Sequence, residues 1–413
     1  MERRKKRAHM VGIISILFLA FVVTYGASPA LTAEPIRIGF MAPMKGPLAK
    51  PGEDLLNGFK LFWKQNGLEV GGRTVKILYA DSACNPDTAM TQARRLIHAE
   101  KVDLIIGGLC GHVGPALAQV SRETGVPVLV MPGADELTKW DIVPTFVRLS
   151  VSASQIGHPM GDYLYNVLGA RNVTFIGQDY AWGHGLTLGA AKTFKEAGGK
   201  VAKILWTPIG TADYGPLLAS IPTDTDWVVA NVVGADRLRL FNAWFNFGYD
   251  RKYKIAGGYW LHSDALFQLD DKAVDLIAQC NIYSAGLDTP ENKAFVKAFI
   301  KEYKTVPSWM AEAAYTMGLF VKETIEALNG KLDDKMAFVD TILKVKVNAP
   351  RGPVSLDKYH NPIQNVYISK VEKVNDPVLG EIMINVPIKT YKNVSQFWTW
   401  NPKDFLAGGP YKR

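Results

Sequence analysis

A cysteine and a histidine lie two residues apart in the glycine-rich segment DLIIGGLCGHVGP, residues 103–115. A segment of this kind is compatible with three sites: a phosphate-binding loop, a cysteine nucleophile with a histidine base, or a loop whose backbone binds another ligand. The segment lacks the Lys-Ser/Thr pair of a P-loop, and no acidic residue suits a dinucleotide site after the next strand. Residues two apart at a strand-to-helix turn rarely face each other, which disfavours a Cys110–His112 catalytic pair. The first two interpretations are therefore weak.

No other catalytic or metal-binding pattern is evident. A Gly-x-Ser-x-Gly elbow and a pair of catalytic carboxylates are absent from the sequence, and the seven histidines show no close metal-ligand spacing. The sequence therefore predicts no catalytic residue, no metal and no cofactor.

The N-terminal segment has the order of a secretory signal peptide. A basic cluster, MERRKKRAHM, precedes the apolar run VGIISILFLAFVV, which is short for a membrane span, and small residues follow. We predict a signal peptide at 1–33, with cleavage after Ala30 or Ala33; an uncleaved anchor is the alternative. Its removal would halve the formal net charge of +8. Because no basic stripe remains, no nucleic-acid partner is predicted.

From residue 35 onward, short β-branched runs alternate with amphipathic helices, which is typical of parallel sheets covered on both faces. Strands are predicted at IRIGFMAP, TVKILYAD, VDLIIGG and VPVLVMPG, and the rhythm begins again at NVTFIGQD, KVAKILW, DWVVANVV and KYKIAGG. The fold class is therefore α/β with two doubly wound halves. Residues 290–346 are expected to be helix-rich. A strand, a turn and a strand follow in RGPVSLDKYHNPIQNVYISKVEK, and residues 374–413 are expected to form a surface wrap without clear periodicity.

The three cysteines, Cys84, Cys110 and Cys280, are expected to leave one pair closed in an oxidising compartment. Cys84 follows the second predicted strand and Cys110 the third, so both lie at one edge of what we take to be adjacent strands, within disulfide reach. Two buried free thiols are the alternative. The same edge is where open parallel sheets bind ligands, because loops and helix N-termini present unpaired N–H groups there.

Over nearly the whole mature chain, the sequence resembles the periplasmic substrate-binding proteins of branched-chain amino-acid type ABC transporters, the leucine/isoleucine/valine-binding group. The order and spacing of several segments carry the resemblance: IRIGFMAPMKGPLAKPGEDLLNGFKL, DSACNPDTA, DLIIGGLC, VPVLVMPGA, FVRLSVSASQIG, DYAWGHGL and RGPVSLDKYHNPIQNVYISKV. It implies a type I periplasmic binding fold with two α/β lobes, a ligand enclosed as the lobes close, and a Cys84–Cys110 disulfide.

The resemblance also implies the domain organisation and the partners. Three hinge crossovers are expected near 149–153, 284–289 and 350–354. Lobe I would comprise 34–151 plus 286–351, and lobe II with the C-terminal wrap 152–285 plus 352–413. A periplasmic monomer would capture a small-molecule ligand and deliver it to an ABC transporter permease in the inner membrane, with no bond made or broken. A ligand-sensing receptor domain is the alternative function.

Positions that hold amino-acid ligands in this family are changed here. The carboxylate-binding serine and threonine are replaced by Gly111 and Asp135, and the acid that meets the ammonium by Tyr259 or Trp260. Two tyrosines correspond to Trp182 and Val233, and the serine of the first loop to Lys45. The predicted ligand-binding residues are Lys45, Gly111, His112, Gly133, Ala134, Asp135, Tyr180, Trp182, Val233, Tyr259 and Trp260.

These departures predict a ligand other than a plain α-amino acid. An ammonium buried without its acid is costly. A cleft lined by Tyr180, Trp182, Tyr259 and Trp260 suits an aromatic or branched ligand, whose carboxylate Lys45 or His112 could meet. We expect an aromatic or aliphatic carboxylate or a neutral amide, with branched-chain amino acids as the alternative. The competing interpretations are that the aromatic residues only pack the lobes, that Asp135 caps the helix ELTKW, and that Lys45 points into solvent.

Overall fold

The computed structural model of the protein describes residues 34–46 and 48–412, apart from the side chain of Asp264. The predicted signal peptide, residues 1–33, lies outside this range. Within it, no helix is both long enough and apolar enough to cross a membrane.

The first sheet is built from six strands, which are β1 (Ile36–Ala42), β2 (Glu69–Val70), β3 (Arg73–Asp81), β4 (Leu104–Gly107), β5 (Val128–Val130) and β6 (Phe146–Arg148). Their order is β2-β3-β1-β4-β5-β6, and all neighbours pair in parallel except β2 with β3. The connecting helices are α1 (Ala49–Asn66), α2 (Pro86–His98) and α3 (Val113–Thr124). Leu55, Phe59 and Phe62 recur at helical spacing in α1 and are fully buried, so this apolar stripe holds the helix against the sheet.

The second sheet follows the first along the chain. Its parallel strands are β7 (Asn172–Gln178), β8 (Lys200–Thr207), β9 (Trp227–Asn231), β10 (Lys254–Tyr259) and β11 (Ile277–Asn281). Its antiparallel strands are β12 (Lys346–Ala349), β13 (Gly352–Leu356), β14 (Pro362–Asp376) and β15 (Gly380–Val394). The order is β12-β13-β14-β11-β10-β9-β7-β8, and β15 also pairs with β14.

The remaining helices connect or cover these strands. They are α4 (Ala153–Asn166), α5 (Ala181–Glu196), α6 (Gly215–Ala219), α7 (Asp236–Asn246), α8 (Ser263–Leu266), α9 (Pro290–Tyr303), α10 (Trp309–Ala327), α11 (Lys335–Ile342) and α12 (Pro402–Ala407). Single 3₁₀ turns occur at Asp135–Thr138, Tyr249–Arg251 and Asp271–Ala273.

The chain passes between the two sheets three times: after β6, after β11, and between α11 and β12. Helices α9 and α10 return to α1 beside the first sheet, where the rings of Phe62 and Tyr315 lie 5.4 Å apart and Tyr303 Oη donates to the Asn57 carbonyl at 3.0 Å. The predicted fold class, two parallel-rich α/β halves joined by three crossovers, is therefore confirmed. The third passage comes earlier than expected, because β12 already belongs to the second sheet.

Residues 374–413, expected to form a surface wrap without clear periodicity, include a long strand that the missing periodicity did not indicate. Residues 362–394 form a long hairpin of β14 and β15, joined by a turn at 377–379. The outer part of β15 is exposed or half-buried on both faces, so its sequence has no alternation of apolar and polar residues to reveal the strand.

A buried ion pair joins α10 to the turn between β12 and β13, and through it to the first crossover. Glu312 Oε2 and Arg351 Nη1 lie 3.1 Å apart, and both side chains are fully buried. The other terminal nitrogen of Arg351, Nη2, donates to the Leu149 carbonyl at 2.8 Å. Arg351, in the turn between β12 and β13, therefore connects the first helix turn of α10 with the first passage of the chain.

Residues 395–412 contact elements of both halves. On the side of the first sheet, the Trp140 indole N–H donates to the Leu406 carbonyl at 3.1 Å. On the side of the second sheet, the Trp400 indole N–H donates to Glu196 of α5 at 3.0 Å. Beneath this segment His158 of α4 is fully buried, with Nε2 2.6 Å from Tyr411 Oη.

His158 predicts a loss of stability in mild acid. Burial, together with the charges of Lys139 and Lys192, lowers the pKa of His158 well below its ordinary 6.5. The depressed folded-state pKa means that the neutral imidazole stabilises the fold above about pH 6.5 and that this contribution is lost as the pH falls. We expect the free energy of unfolding of the wild type to fall more steeply than that of His158→Gln, by up to about 1.4 kcal/mol per pH unit. Urea unfolding from about pH 7.5 to 5 measures both slopes; identical slopes would refute the assignment.

Candidate functional site

The predicted ligand residues follow the carboxyl ends of strands in both sheets. Lys45 follows β1, Gly111 and His112 follow β4, and Gly133–Asp135 follow β5. In the second sheet, Tyr180 and Trp182 follow β7, Val233 follows β9, and Tyr259 and Trp260 lie at the end of β10. The predicted ligand residues therefore come from two different parts of the chain, and in both sheets they lie at the edge where parallel sheets bind ligands.

The loop after β4 is tied to the loop after β3 by the predicted disulfide. Cys84 and Cys110 are bonded, with their Cα atoms 5.6 Å apart. Their strands are not adjacent as expected, because β1 lies between β3 and β4 and the disulfide spans its end. The exposed His112 places Nε2 2.7 Å from the Cys84 carbonyl oxygen, so its ring is anchored to this loop. Among the described residues Cys280 is the free cysteine; it is buried, and burial raises the pKa of its thiol.

Lys45 and Gly111 lie at the outer side of these loops. The Lys45 side chain is exposed, and a Cβ added at Gly111 would meet open space. Neither residue is held by neighbouring groups in the way that the inner loops are.

Four rings form the centre of the site, here called the aromatic cluster: Trp182, Tyr259, His262 and Trp309. Trp182, in the first turn of α5, is parallel to Trp309 within 11°, with ring centroids 6.4 Å apart. Tyr259 lies edge-on to both, at 5.4 Å from Trp182 and 6.2 Å from Trp309. The His262 ring lies 4.0 Å from that of Tyr259. All four side chains are buried, with relative exposures of 2–8%, so the rings are packed together at the end of β10.

The sequence analysis missed Trp309 and His262. Trp309 begins α10, more than 120 residues after Trp182, and its only local signal is Ser308, whose side chain caps the helix. His262 lies in the loop GGYWLHSD, but the residue spacing in this loop did not distinguish a histidine of the site from a histidine at the surface.

The cluster contacts the loop after β5 through Trp182. A Cβ on Gly133 would collide with the ring of Trp182, so only glycine fits beneath it. The second sheet thus places a tryptophan directly on a ligand-edge loop of the first sheet.

The other predicted aromatic and apolar residues differ in placement. Trp260 is fully buried in the core of the second sheet, where its indole N–H donates to the Arg237 carbonyl at 3.1 Å. Of the two predicted alternatives, Tyr259 belongs to the aromatic cluster and Trp260 does not. Tyr180 precedes α5 and is half-buried, and desolvation raises the pKa of its hydroxyl. Val233 is half-buried, and its N–H donates to Gln178 at 2.9 Å.

Asp135 is held in a buried ion pair. Its carboxylate accepts from Lys139 Nζ at 3.1 Å and from the Ser154 N–H at 3.2 Å, and both charged side chains are buried. Asp135 is therefore the first residue of the 3₁₀ turn and does not cap it. Its charge is already neutralised by Lys139, so it offers no free partner to a ligand ammonium.

Arg148, at the end of β6, lies behind the loop after β5. Its guanidinium donates to the Pro132 carbonyl at 2.9 Å, to Asn361 at 2.8 Å, and to Thr138 and the Ala134 carbonyl. No carboxylate of the described residues comes within ion-pair distance of this fully buried side chain. Burial lowers the pKa of Arg148 to about 10, so the group remains charged at neutral pH.

The charge of Arg148 polarises two peptide groups. The Pro132 and Ala134 carbonyls face the guanidinium, so the N–H groups of the same planar peptides, those of Gly133 and Asp135, point away from it. In the part of the chain that the structure describes, no acceptor bonds either N–H. Hydrogen bonding at a carbonyl strengthens its peptide N–H as a donor. This loop therefore combines two available donors with a buried positive charge beside Trp182.

The comparisons with known proteins match this architecture. Residues 35–376 match the family model described as periplasmic binding protein. Leu/Ile/Val-binding protein homolog 6 of Brucella suis biovar 1 is 26% identical over 371 residues, which cover 87% of this chain and 94% of that protein.

Two similar crystal structures contain ligands. A solute binding protein of an ABC transporter from Rhodopseudomonas palustris BisB5, in complex with 3,4-dihydroxy benzoic acid, is 28% identical with a TM-score of 0.80, covering 88% of this chain and 98% of that one. An ABC transporter solute binding protein from R. palustris, in complex with benzoate, is 26% identical with a TM-score of 0.76, covering 86% and 96%.

Proposed function

The chain belongs to the periplasmic binding protein family, and on that premise we propose that it is the exported solute-binding component of an ABC transporter with an aromatic carboxylate as its ligand. It captures the ligand between the lobe built on the first sheet and the lobe built on the second sheet, and delivers it to a permease in the inner membrane. Its function is binding and transfer, as in the rest of the family.

The observation that carries the ligand class is the buried charge of Arg148 behind the loop after β5. A carboxylate there accepts from the N–H groups of Gly133 and Asp135 and adds to the negative charges of Asp135, Glu136 and Asp357, which act on the guanidinium from beyond ion-pair distance. Buried charges are stable only when paired or well hydrogen-bonded, so an anion is favoured over a neutral or cationic group. An α-amino acid is disfavoured because the nearby carboxylate, Asp135, is already paired with Lys139.

The aromatic cluster supplies the other half of the specificity. Trp182 lies on Gly133 and Tyr259 lies edge-on to Trp182, so a carboxylate on this loop brings its attached ring towards these two aromatic residues. The benzoate and dihydroxybenzoate complexes of the two R. palustris relatives support the same class. Lys45, Gly111 and His112 are assigned a lesser role, because Lys45 and His112 are exposed and Gly111 has no side chain.

Calorimetric titration of the mature protein with benzoate, benzamide and leucine tests the proposal. Benzamide has the shape of benzoate without its charge. We expect benzoate to bind about 10- to 100-fold more tightly than benzamide, since hydrogen bonds to a charged group contribute about 1.5–3 kcal/mol. Leucine is expected to give no heat of binding. Tighter binding of leucine than of benzoate, or equal binding of benzamide, would refute the aromatic carboxylate.

A further inference from the structure

A small cavity adjoins the aromatic cluster on the side of the second crossover. Its volume is about 10 Å³, and its lining includes Tyr283, Ser284, Asn385, Trp309 and His262. Trp309 and His262 belong to the aromatic cluster as well, so the cavity lies directly beside it. A space of this size is about what one water molecule or one hydroxyl group needs.

Three of the residues that line this cavity carry a polar atom without a hydrogen-bond partner among the described residues: Tyr283 Oη, Trp309 Nε1 and Asn385 Oδ1. The three side chains are deeply buried, with relative exposures of 1% for Tyr283 and 7% for Trp309, and 1% for Asn385. Buried polar atoms are nearly always hydrogen-bonded, so three of them at one cavity indicate a missing polar partner.

The chemistry of the three atoms defines that partner. The Trp309 indole N–H can only donate, and Asn385 Oδ1 can only accept, because the Asn385 Nδ2 group donates to the Leu261 carbonyl at 3.0 Å and fixes the orientation of the amide. The Tyr283 hydroxyl can do either. A carboxylate only accepts hydrogen bonds, so it would leave the acceptor Asn385 Oδ1 without a donor. An ammonium only donates, so it would leave the Trp309 N–H without an acceptor. A hydroxyl group satisfies both.

We propose that Tyr283, Trp309 and Asn385 form a subsite for a hydroxyl group on the ligand ring, so that the ligand is a hydroxylated aromatic carboxylate. This inference rests on the proposed function. Trp309 connects the two parts of the site: its ring belongs to the aromatic cluster, and its N–H meets the ligand hydroxyl.

The test is calorimetric titration of the wild type and of Tyr283→Phe with benzoate, 3-hydroxybenzoate and 4-hydroxybenzoate. We expect the wild type to bind one hydroxybenzoate at least about 10-fold more tightly than benzoate, because a site built for a hydroxyl discriminates against its absence. In Tyr283→Phe this preference is expected to disappear, so that the hydroxybenzoates bind no more tightly than benzoate. Tyr303→Phe, whose hydroxyl bonds the Asn57 carbonyl beside α1, is the matched control and should keep the preference.

Thermal unfolding of the ligand-free variants gives a second readout. Tyr283→Phe removes a hydroxyl without a partner and is expected to unfold at the same or a higher temperature than the wild type. Tyr303→Phe loses a hydrogen bond and should unfold at a lower one. A wild type that binds benzoate and both hydroxybenzoates equally, or a Tyr283→Phe variant that weakens all three equally, would overturn the hydroxyl subsite alone. Failure of all three ligands to bind the wild type would overturn the proposed function.

Discussion

Replacing Trp182 with alanine is expected to weaken the binding of benzoate by about 100-fold. The Trp182 ring covers Gly133, is parallel to Trp309 and contacts Tyr259 edge-on, so it joins the proposed carboxylate loop to the aromatic cluster. Loss of a tryptophan at the centre of a binding site costs about 2–4 kcal/mol, and 100-fold corresponds to about 2.7 kcal/mol. Calorimetric titration measures the change, with circular dichroism to verify the fold.

A pair of conservative variants separates binding from stability. Trp182→Phe is expected to retain part of the affinity, because a smaller ring still covers Gly133. Trp260→Phe makes the same chemical change in the core of the second sheet and removes the hydrogen bond to the Arg237 carbonyl. It is expected to lower the stability by about 1 kcal/mol and to leave the affinity unchanged. If Trp260→Phe weakened binding and Trp182→Ala did not, the placement of the ligand against Trp182 would be wrong.

The Arg351→Met variant is expected to lower the free energy of unfolding by about 3–5 kcal/mol. The substitution leaves the fully buried Glu312 carboxylate without its guanidinium and the Leu149 carbonyl without its donor. A single unpaired charge in the protein interior is among the most destabilising changes that a substitution can make. Urea unfolding measures the loss directly.

A double variant distinguishes the ion pair from simple loss of packing. Glu312→Leu together with Arg351→Met removes both charges, so we expect most of the lost stability to return; strictly additive losses would contradict this. The exposed pair of Lys64 and Glu302, 2.7 Å apart, serves as the control. Lys64→Met should change the free energy of unfolding by less than about 1 kcal/mol, because surface ion pairs contribute little.

Much of the fold could be predicted because its elements are encoded by local patterns. The alternation of runs such as DLIIGG with helices such as GEDLLNGFKLFW is enough to predict parallel sheets covered by helices. The strand β15 could not be predicted in this way, because as an outer strand it buries little of either face. The placement of Cys84 and Cys110 at one edge of the sheet was predicted from strand order, although the intervening β1 was not.

Part of the site was also accessible from the sequence. The positions of Trp182 and Tyr259 at strand ends, together with the family resemblance, predicted that aromatic rings replace the groups that hold an amino acid. Sequence reasoning did not separate Tyr259 from Trp260, since both lie at the end of the same strand. Neighbouring residues of a strand point to opposite faces of the sheet. Tyr259 packs against Trp182 on one face and Trp260 packs against Phe241 on the other, and this packing alone decides that Tyr259 joins the aromatic cluster.

The sequence by itself determined the α/β class, the two successive halves, the disulfide edge and the aromatic character of the second-half loops, because each depends on residues close together in the chain. Tertiary structure alone decided that Trp309 faces Trp182 and that Arg148 lies behind Gly133 without a carboxylate partner. It also decided that Tyr283 and Asn385 share one cavity. These relations join residues from distant segments, and no local pattern specifies which side chains the three crossovers bring together.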